Sequence, residues 1–377
     1  MIELSEEQRI IINNVKRVAK ERIAPIAAQI DREGVFRWDI ARLFGEMGLL
    51  QIFLPTSYGG LEEDKTLMFC LLVEEIAKAC SSSALILIIQ AVASFPIISA
   101  ANEDQENRFF PRLSKGEELV AYLVTEPYAG SDVSGIRASA QKNGNEYTLN
   151  GHKSFSTNGG VASLYSVLAK TGKNEFTFFV VERDQQGVSI GKEEDKLGFR
   201  GSNTTEVILE DVKVLEGNRL GQEGEGFLIA MKDFDMSRPA IAALALGIAE
   251  TALELSLDYA GKRETFGKPL ISRQSISFML ADAAMQIEAC RGLMLEAAKK
   301  NDKNEPDSKL ASMSKCFCSD IAMKITTDAV QIFGGYGYTK DYPVERLFRD
   351  AKLTQIFEGT NQIQRMVIAR EMIKERK

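Results

Sequence analysis

Apolar positions along this chain recur with two different periods, and the points where the period changes divide it into three. After Ser5, the residues Ile10, Ile11, Val15, Val18 and Ala19 return at helical spacing, and Gln8 stands where it can complete a capping box with Ser5, so the pattern predicts a helix starting there. Helical spacing continues over 39–47, 67–79, 84–101 and 104–113, with residues 55–60 as a loop among them. The most apolar stretch, 83–101, is interrupted by Gln90, Ser94 and Pro96 and is expected to be a core helix; no apolar run is expected to reach membrane-spanning length. From Leu119 the texture changes to short β-rich runs separated by Gly, Asn and Asp, at 119–124, 146–149, 164–169, 176–181 and 207–209. No helical pattern separates these runs, which predicts an antiparallel sheet or barrel and argues against a doubly wound nucleotide-binding fold. Helical segments return at 227–259, 272–301, 307–332 and 344–353, and a last helix starts at Asn361. The predicted class is α+β in three parts: a helical domain over 1–118, a β domain over 119–226 and a helical bundle over 227–377.

Composition narrows the chemistry. Lys and Arg total 46 against 53 Asp and Glu, a formal charge of -7 with both signs scattered, so the basic footprint of a nucleic-acid or anionic-lipid binder is missing. The single histidine, His152, excludes a Ser-His-Asp triad elsewhere, a multi-histidine metal site and a paired-histidine relay within one subunit; it is expected at a solvent-facing turn. Five cysteines without a CxxC fit core packing in a reducing compartment, and the charged, amphipathic start lacks the apolar core of a signal peptide, so a cytoplasmic protein is expected.

Two glycine-rich segments imitate phosphate loops. Gly261 to Pro269 has one residue too many between its glycines, carries Pro269 where a magnesium-binding hydroxyl would stand, and follows a helical pattern rather than a strand, so a Walker loop is excluded. Gly334-Gly335-Tyr336-Gly337-Tyr338 lacks both the GxGxxG spacing and a preceding strand, and reads as a helix end followed by a turn. Three segments carry more. Thr125 to Asp132 follows an apolar strand and would present hydroxyls and backbone N–H groups at a sheet edge, and Lys153 to Gly160 sets an aromatic beside further hydroxyls; each alone also reads as a polar turn. Ile356-Phe357-Glu358-Gly359-Thr360-Asn361 places one carboxylate between apolar residues and a helix start. Burial there would raise its pKa toward that of a proton-abstracting base, whereas exposure would leave it an ordinary loop glutamate.

Taken together, Thr125 to Asp132, Arg263-Glu264-Thr265-Phe266-Gly267, Gln331 to Gly337 and Glu358 to Arg365 resemble the signature segments of the acyl-CoA dehydrogenase family, in family order and at family spacing over essentially the whole chain. The resemblance implies an N-terminal helical domain, a middle β domain and a C-terminal four-helix bundle, with FAD between the last two. Tyr122, Val124, Thr125, Gly130 and Ser131 would then line the flavin, Phe155 and Thr157 would cover its other side, and Thr360 and Gln362 would add cofactor contacts. Phe266 would contact the cofactor, and Arg263 with Gln331, Gly334 and Gly335 would reach the FAD of a neighbouring subunit, which implies a homotetramer. Ser131, Asp235, Arg238 and Gly359 would hold the acyl-CoA. Glu358 would be the base that removes the α-proton while a β-hydride passes to the flavin, giving a 2-enoyl-CoA, with electrons leaving to an electron-transferring flavoprotein. The Glu358 backbone N–H and a ribityl hydroxyl of FAD would polarise the thioester carbonyl.

Departures from the family pattern bear on the substrate. Ser237 stands where the isovaleryl-type branch carries its base, which leaves Glu358 as the candidate, and Cys80-Ser81-Ser82-Ser83-Ala84 has no arginine of the glutaryl type, which disfavours a dicarboxylic substrate. Phe155 replaces a frequent tryptophan, Phe357 a frequent tyrosine and Tyr128 a frequent glycine. Pocket depth is expected to depend on Leu87, Gln90, Ala91 and Phe95. A short, medium, branched or alicyclic acyl-CoA is expected; the alternatives are an enoyl-CoA reductase in a bifurcating complex, an acyl-CoA oxidase and a non-catalytic scaffold.

Overall fold

The computed structural model describes residues 4–376. Helix α1 (Glu6–Val18) opens with the predicted capping box: the Gln8 backbone N–H donates to Ser5 Oγ at 3.1 Å, and the Ser5 backbone N–H donates to Gln8 Oε1 at 3.0 Å. A wide turn and Pro25 lead into α2 (Ala27–Glu33), a helix the apolar pattern did not single out, which ends at Gly34 in a left-handed cap. Helices α3 (Trp38–Glu46), α4 (Lys65–Ala79), α5 (Ser81–Ala100) and α6 (Glu103–Ser114) follow the predicted segments closely.

Helix α5 corrects the expectation that no apolar run is long enough to cross a membrane. It has 20 residues with a mean hydropathy of 2.0, and the long helix α7 (Gly226–Lys262) also meets the length and hydropathy of a span; 83% and 67% of their most apolar windows are buried inside the protein. Gln90 shows how α5 is accommodated as a core helix: its amide donates to Leu113 O at 3.0 Å and accepts the Val120 N–H at 2.9 Å. One buried side chain thus ties the end of α6 to the start of the sheet.

The middle part holds β1 (Val120–Leu123), β2 (Ser139–Asn143), β3 (Glu146–Thr157), β4 (Leu164–Lys170), β5 (Phe176–Glu182), β6 (Val188–Glu193), β7 (Thr204–Leu215) and β8 (Arg219–Leu220), in the order β6-β7-β3-β2-β4-β5-β8 with β1 on β4. Most pairs are antiparallel as expected. The exceptions are β1, which runs parallel to β4 from Val120↔Leu164 to Leu123↔Val167, and a single parallel pairing of β2 with the same strand, Ser139↔Lys170. His152 sits within β3, half-exposed and 3.3 Å from Glu206, rather than at a turn. After the sheet come α7, a two-residue hairpin of β9 (Glu264–Thr265) and β10 (Lys268–Pro269), then α8 (Gln274–Asp302), α9 (Ser308–Phe333), α10 (Val344–Thr354) and α11 (Asn361–Lys374).

One apolar core runs through all three parts, and joins Phe69 and Val73 of α4, Val167 of β4, Leu244 of α7 and Ala322 of α9. The five cysteines are free and buried. Polar contacts also cross the boundaries: the Asp302 carboxylate at the end of α8 accepts the Thr66 and Leu67 N–H groups at 2.7 and 2.9 Å, capping a helix of the N-terminal part.

Candidate active site

Burial of one ion pair shapes the sheet edge. Beyond β1 the chain makes a tight turn in which Glu126 and Ala129 exchange backbone hydrogen bonds at 3.0 and 3.1 Å. The Glu126 carboxylate points inward and accepts the Arg137 and Ala138 N–H groups at 2.6 and 2.9 Å and Lys153 Nζ at 2.8 Å. Lys153 is fully buried and donates also to Val124 O and Leu168 O. Burial alone would raise the Glu126 carboxyl, but Lys153 and the two N–H donors outweigh it and hold it below its ordinary value. Next to this anchor, β3 bulges between Lys153 and Ser156, and Phe155 takes a left-handed φ of 52°. The bulge turns the Phe155 ring outward, 66% exposed, on the same edge as Thr157.

A second element is the loop between α10 and α11. Glu358 and Gly359 are consecutive left-handed residues, with φ of 52° and 86°. Thr360 caps α11, its hydroxyl accepting the Ile363 N–H at 3.3 Å. The Glu358 carboxylate accepts a hydrogen bond from Ser237 Oγ of α7 at 2.9 Å on Oε2. Burial raises its pKa above that of an ordinary glutamate, while Ser237, Lys315 and Arg238 pull partly back. Among the described residues, the Glu358 backbone N–H and Oε1 have no hydrogen-bond partner.

These elements meet in one cavity of about 1000 Å³, at the upper end of the roughly 300–1000 Å³ of a small-molecule site. Tyr122, Val124, Thr125, Gly130, Ser131, Phe155 and Thr157 line it from the sheet; Glu358, Gly359 and Thr360 line it from the loop, and Asp235 and Arg238 from α7. Asp235 and Arg238 are paired to each other at 2.6 Å, with Ser308 also on Asp235, and Arg238 Nε is buried without a partner among the described residues. Residues Leu85 and Ile89 form the α5 wall, one turn apart. Leu87, Gln90, Ala91 and Phe95, expected to set the depth, are buried in the core instead. Phe357 lines the cavity with its ring 6.3 Å from that of Phe199, and Tyr128 stands exposed with the Arg137 guanidinium 4.7 Å from its ring centre.

Six predicted residues do not line this cavity. Gln362 borders a neighbouring cavity of about 530 Å³ that shares Thr360. Arg263 ends α7, about 37 Å from Arg238 at 1.5 Å per residue. Phe266, 96% exposed on the β9–β10 turn, and Gln331, Gly334 and Gly335 at the end of α9 belong to the same end of the bundle, where Leu270 packs against the cluster of Ala260, Leu280 and Ile332.

Several groups at the site were not legible as such. Ser237 draws attention in the sequence only as a missing base, yet it is the donor to Glu358. Asp233, one turn earlier on α7, is buried with Tyr122 Oη at 3.4 Å, and burial pushes its pKa well up. Lys315 of α9 and Gln364 of α11 hold the base loop from behind. None of these pairings has a local sequence signal, because the partners meet only in the folded chain.

Known proteins fit this arrangement. Residues 5–117, 121–212 and 224–373 match the N-terminal, middle and C-terminal domains of acyl-CoA dehydrogenase. The chain is 54% identical to the cyclohexane-1-carbonyl-CoA dehydrogenase of Geobacter metallireducens, over 100% of both chains, and 53% identical to that of Syntrophus aciditrophicus, over 98% of this chain and 97% of the relative. Its fold superimposes on butyryl-CoA dehydrogenase from Megasphaera elsdenii with a TM-score of 0.96 at 41% identity, over 99% and 100% of the two chains.

Proposed function

Because the chain belongs to the FAD-dependent acyl-CoA dehydrogenase family and is an oxidoreductase acting on the CH–CH group of an acyl-CoA, we propose that its substrate is cyclohexane-1-carbonyl-CoA or a similar alicyclic acyl-CoA, that Glu358 is its base, and that an electron-transferring flavoprotein takes the electrons. The substrate rests on the two relatives of that name, and the base on one geometric observation: Glu358 is the carboxyl that a left-handed loop and Ser237 hold inside the cavity beside the sheet edge.

The residues present fit the cofactor. The hydroxyls of Thr125, Ser131 and Thr157 line the cavity without a hydrogen-bond partner among the described residues, next to the outward Phe155 ring, which suits a flat heterocycle rich in acceptors. Bound FAD supplies the acceptor for the β-hydride. Glu358 takes the α-proton on Oε1, the oxygen left open when Ser237 occupies Oε2. The free Glu358 N–H is a donor for the thioester carbonyl, and so favours the charge that develops there. Leu85, Ile89, Phe234 and Phe357 offer apolar surface for the ring of the acyl group.

Arg263, Phe266, Gln331, Gly334 and Gly335 lie too far along the bundle to serve the cavity of their own chain. We assign them to the FAD of a second copy in a homotetramer, where the Arg263 guanidinium suits a pyrophosphate. An anaerobic bleaching screen of the purified yellow protein over straight, branched and alicyclic acyl-CoA thioesters tests the substrate. The alicyclic thioester is expected to bleach fastest; fastest bleaching by a straight-chain thioester rejects it.

A further inference from the structure

A left-handed φ is unfavourable for a non-glycine residue, so the Glu358–Gly359 step needs an outside hold. Two side chains provide it. Gln364 Nε2 donates to Glu358 O and to Gly359 O, both at 3.0 Å. From the other side, Lys315 Nζ donates to Gly359 O at 2.8 Å and to Asn361 Oδ1 at 3.0 Å. Lys315 is fully buried, and among the described residues no carboxylate is a hydrogen-bond partner of it. A neutral amide such as that of Gln364 can hold a carbonyl without the cost of burying a charge, so loop-holding alone does not account for a lysine here.

Every charged or titratable group that faces Glu358 bears on this point. Helix α7 presents Asp233, Asp235 and Arg238, β1 presents Tyr122, α9 presents Lys315 with Cys316 and Asp320 acting on it, and Arg349 and Lys352 of α10 and Arg370 of α11 line the same cavity. Of the two buried cations, Arg238 is spent on Asp235 at 2.6 Å. Lys315 has Glu358 as the largest charge favouring its ammonium.

We propose that Lys315 is a positioning residue for α-proton removal: its ammonium fixes the Glu358–Gly359 step that aims the carboxylate into the cavity, and places a fixed positive charge behind the base. The proposal rests on Glu358 being that base. Burial pushes the Lys315 ammonium down to about 8, which leaves it charged at neutral pH.

The test uses FAD-loaded, full-length Lys315→Met and Lys315→Gln variants, with two readouts. One is the pH profile of anaerobic bleaching by an acyl-CoA thioester. The other, in substrate-free protein, is the pH midpoint of the Glu358 carboxylate infrared band, defined as the band absent from Glu358→Gln. Both variants are expected to move the acid limb and the infrared midpoint to higher pH. Lys315→Met is expected to lose at least tenfold in plateau rate as well, and Lys315→Gln, which keeps a donor, to recover part of that rate without recovering the midpoint. An unchanged midpoint in Lys315→Gln overturns the proposal, and that variant decides the matter even where Lys315→Met does not fold. Wild-type bleaching by Glu358→Gln would remove the base assignment and the proposal with it, whereas an unchanged midpoint beside an inactive Glu358→Gln overturns the Lys315 role alone.

Discussion

Lys153 beneath the sheet edge and Lys315 behind the base loop are both fully buried, both pushed down to about 8 by burial, and both donors to main-chain carbonyls. They differ in their counter-charge. Lys153 touches the Glu126 carboxylate at 2.8 Å, and that carboxylate also accepts the Arg137 and Ala138 N–H groups, so the lysine has its counter-charge within its own network. Among the described residues, Lys315 donates to a carbonyl and an amide oxygen, and Glu358 is the largest charge favouring its ammonium, ahead of Asp320. A closed pair fixes geometry, and an open one can also tune a neighbour. The sheet edge that the cofactor is expected to meet is therefore held rigidly, while the loop that carries the base is held and polarised together.

The largest effect that bears on this contrast is expected at the base. Glu358→Gln keeps an oxygen to accept from Ser237 but cannot take a proton, so anaerobic bleaching should fall by about 10²–10⁴-fold, the usual span of a general base. Melting temperature and FAD content should stay near wild type. Bleaching at an unchanged rate would move the chemistry to another group.

Lys153→Met comes next, and it should be a stability effect. It strands a buried carboxylate, a loss of about 3–5 kcal/mol that thermal denaturation would read directly. The double variant Lys153→Met/Glu126→Gln removes the stranded charge and should recover part of that loss. The acid limb of the rate should not move in either protein if the Lys153 charge is consumed locally. A shifted limb would erase the distinction between the two lysines.

How much of this was legible follows from range. The capping box at Ser5 and Gln8, helices α3 to α6 and the long bundle helices are written in local spacing, and the structure reproduces them within a few residues at either end. Strands β2 and β6 were not, because β2 is mostly exposed and polar and β6 has no fully buried position, with alternation that ends after Ile190. The 146–149 run marked only the start of β3, whose bulged second half carries Phe155 and Thr157 among polar neighbours. At the site, the signature segments pointed to Glu358 and to the residues that line the cavity. What holds them was hidden: Ser237 and Lys315 reach the base loop across long stretches of chain, and Leu85 and Ile89 replace the expected α5 residues because helix rotation, which sequence does not show, decides which face meets the cavity.

Ser237→Ala should give the smallest of these effects and the one most confined to pH. The reaction needs the Glu358 carboxylate. Burial raises the pKa of that group, so the rate should fall as pH drops through a value above the ordinary glutamate range. The Ser237 hydroxyl donates to the charged form and opposes the shift. Without it the carboxyl rises further and the acid limb moves to higher pH. A hydrogen bond to a charged group is worth about 1.5–3 kcal/mol, and the lower figure corresponds to about tenfold in the ionised fraction on the acid side of the limb. At the plateau above the limb, where the carboxylate is fully formed in both proteins, the rates should nearly coincide. The contrast with Lys315→Met is then a matter of shape: loss of the hydroxyl moves the limb and spares the plateau, whereas loss of the ammonium should also lower the plateau, because the loop itself is released. A Ser237→Ala plateau as low as that of Lys315→Met would mean that the side-chain contact, not the main-chain hold, is what aims the base.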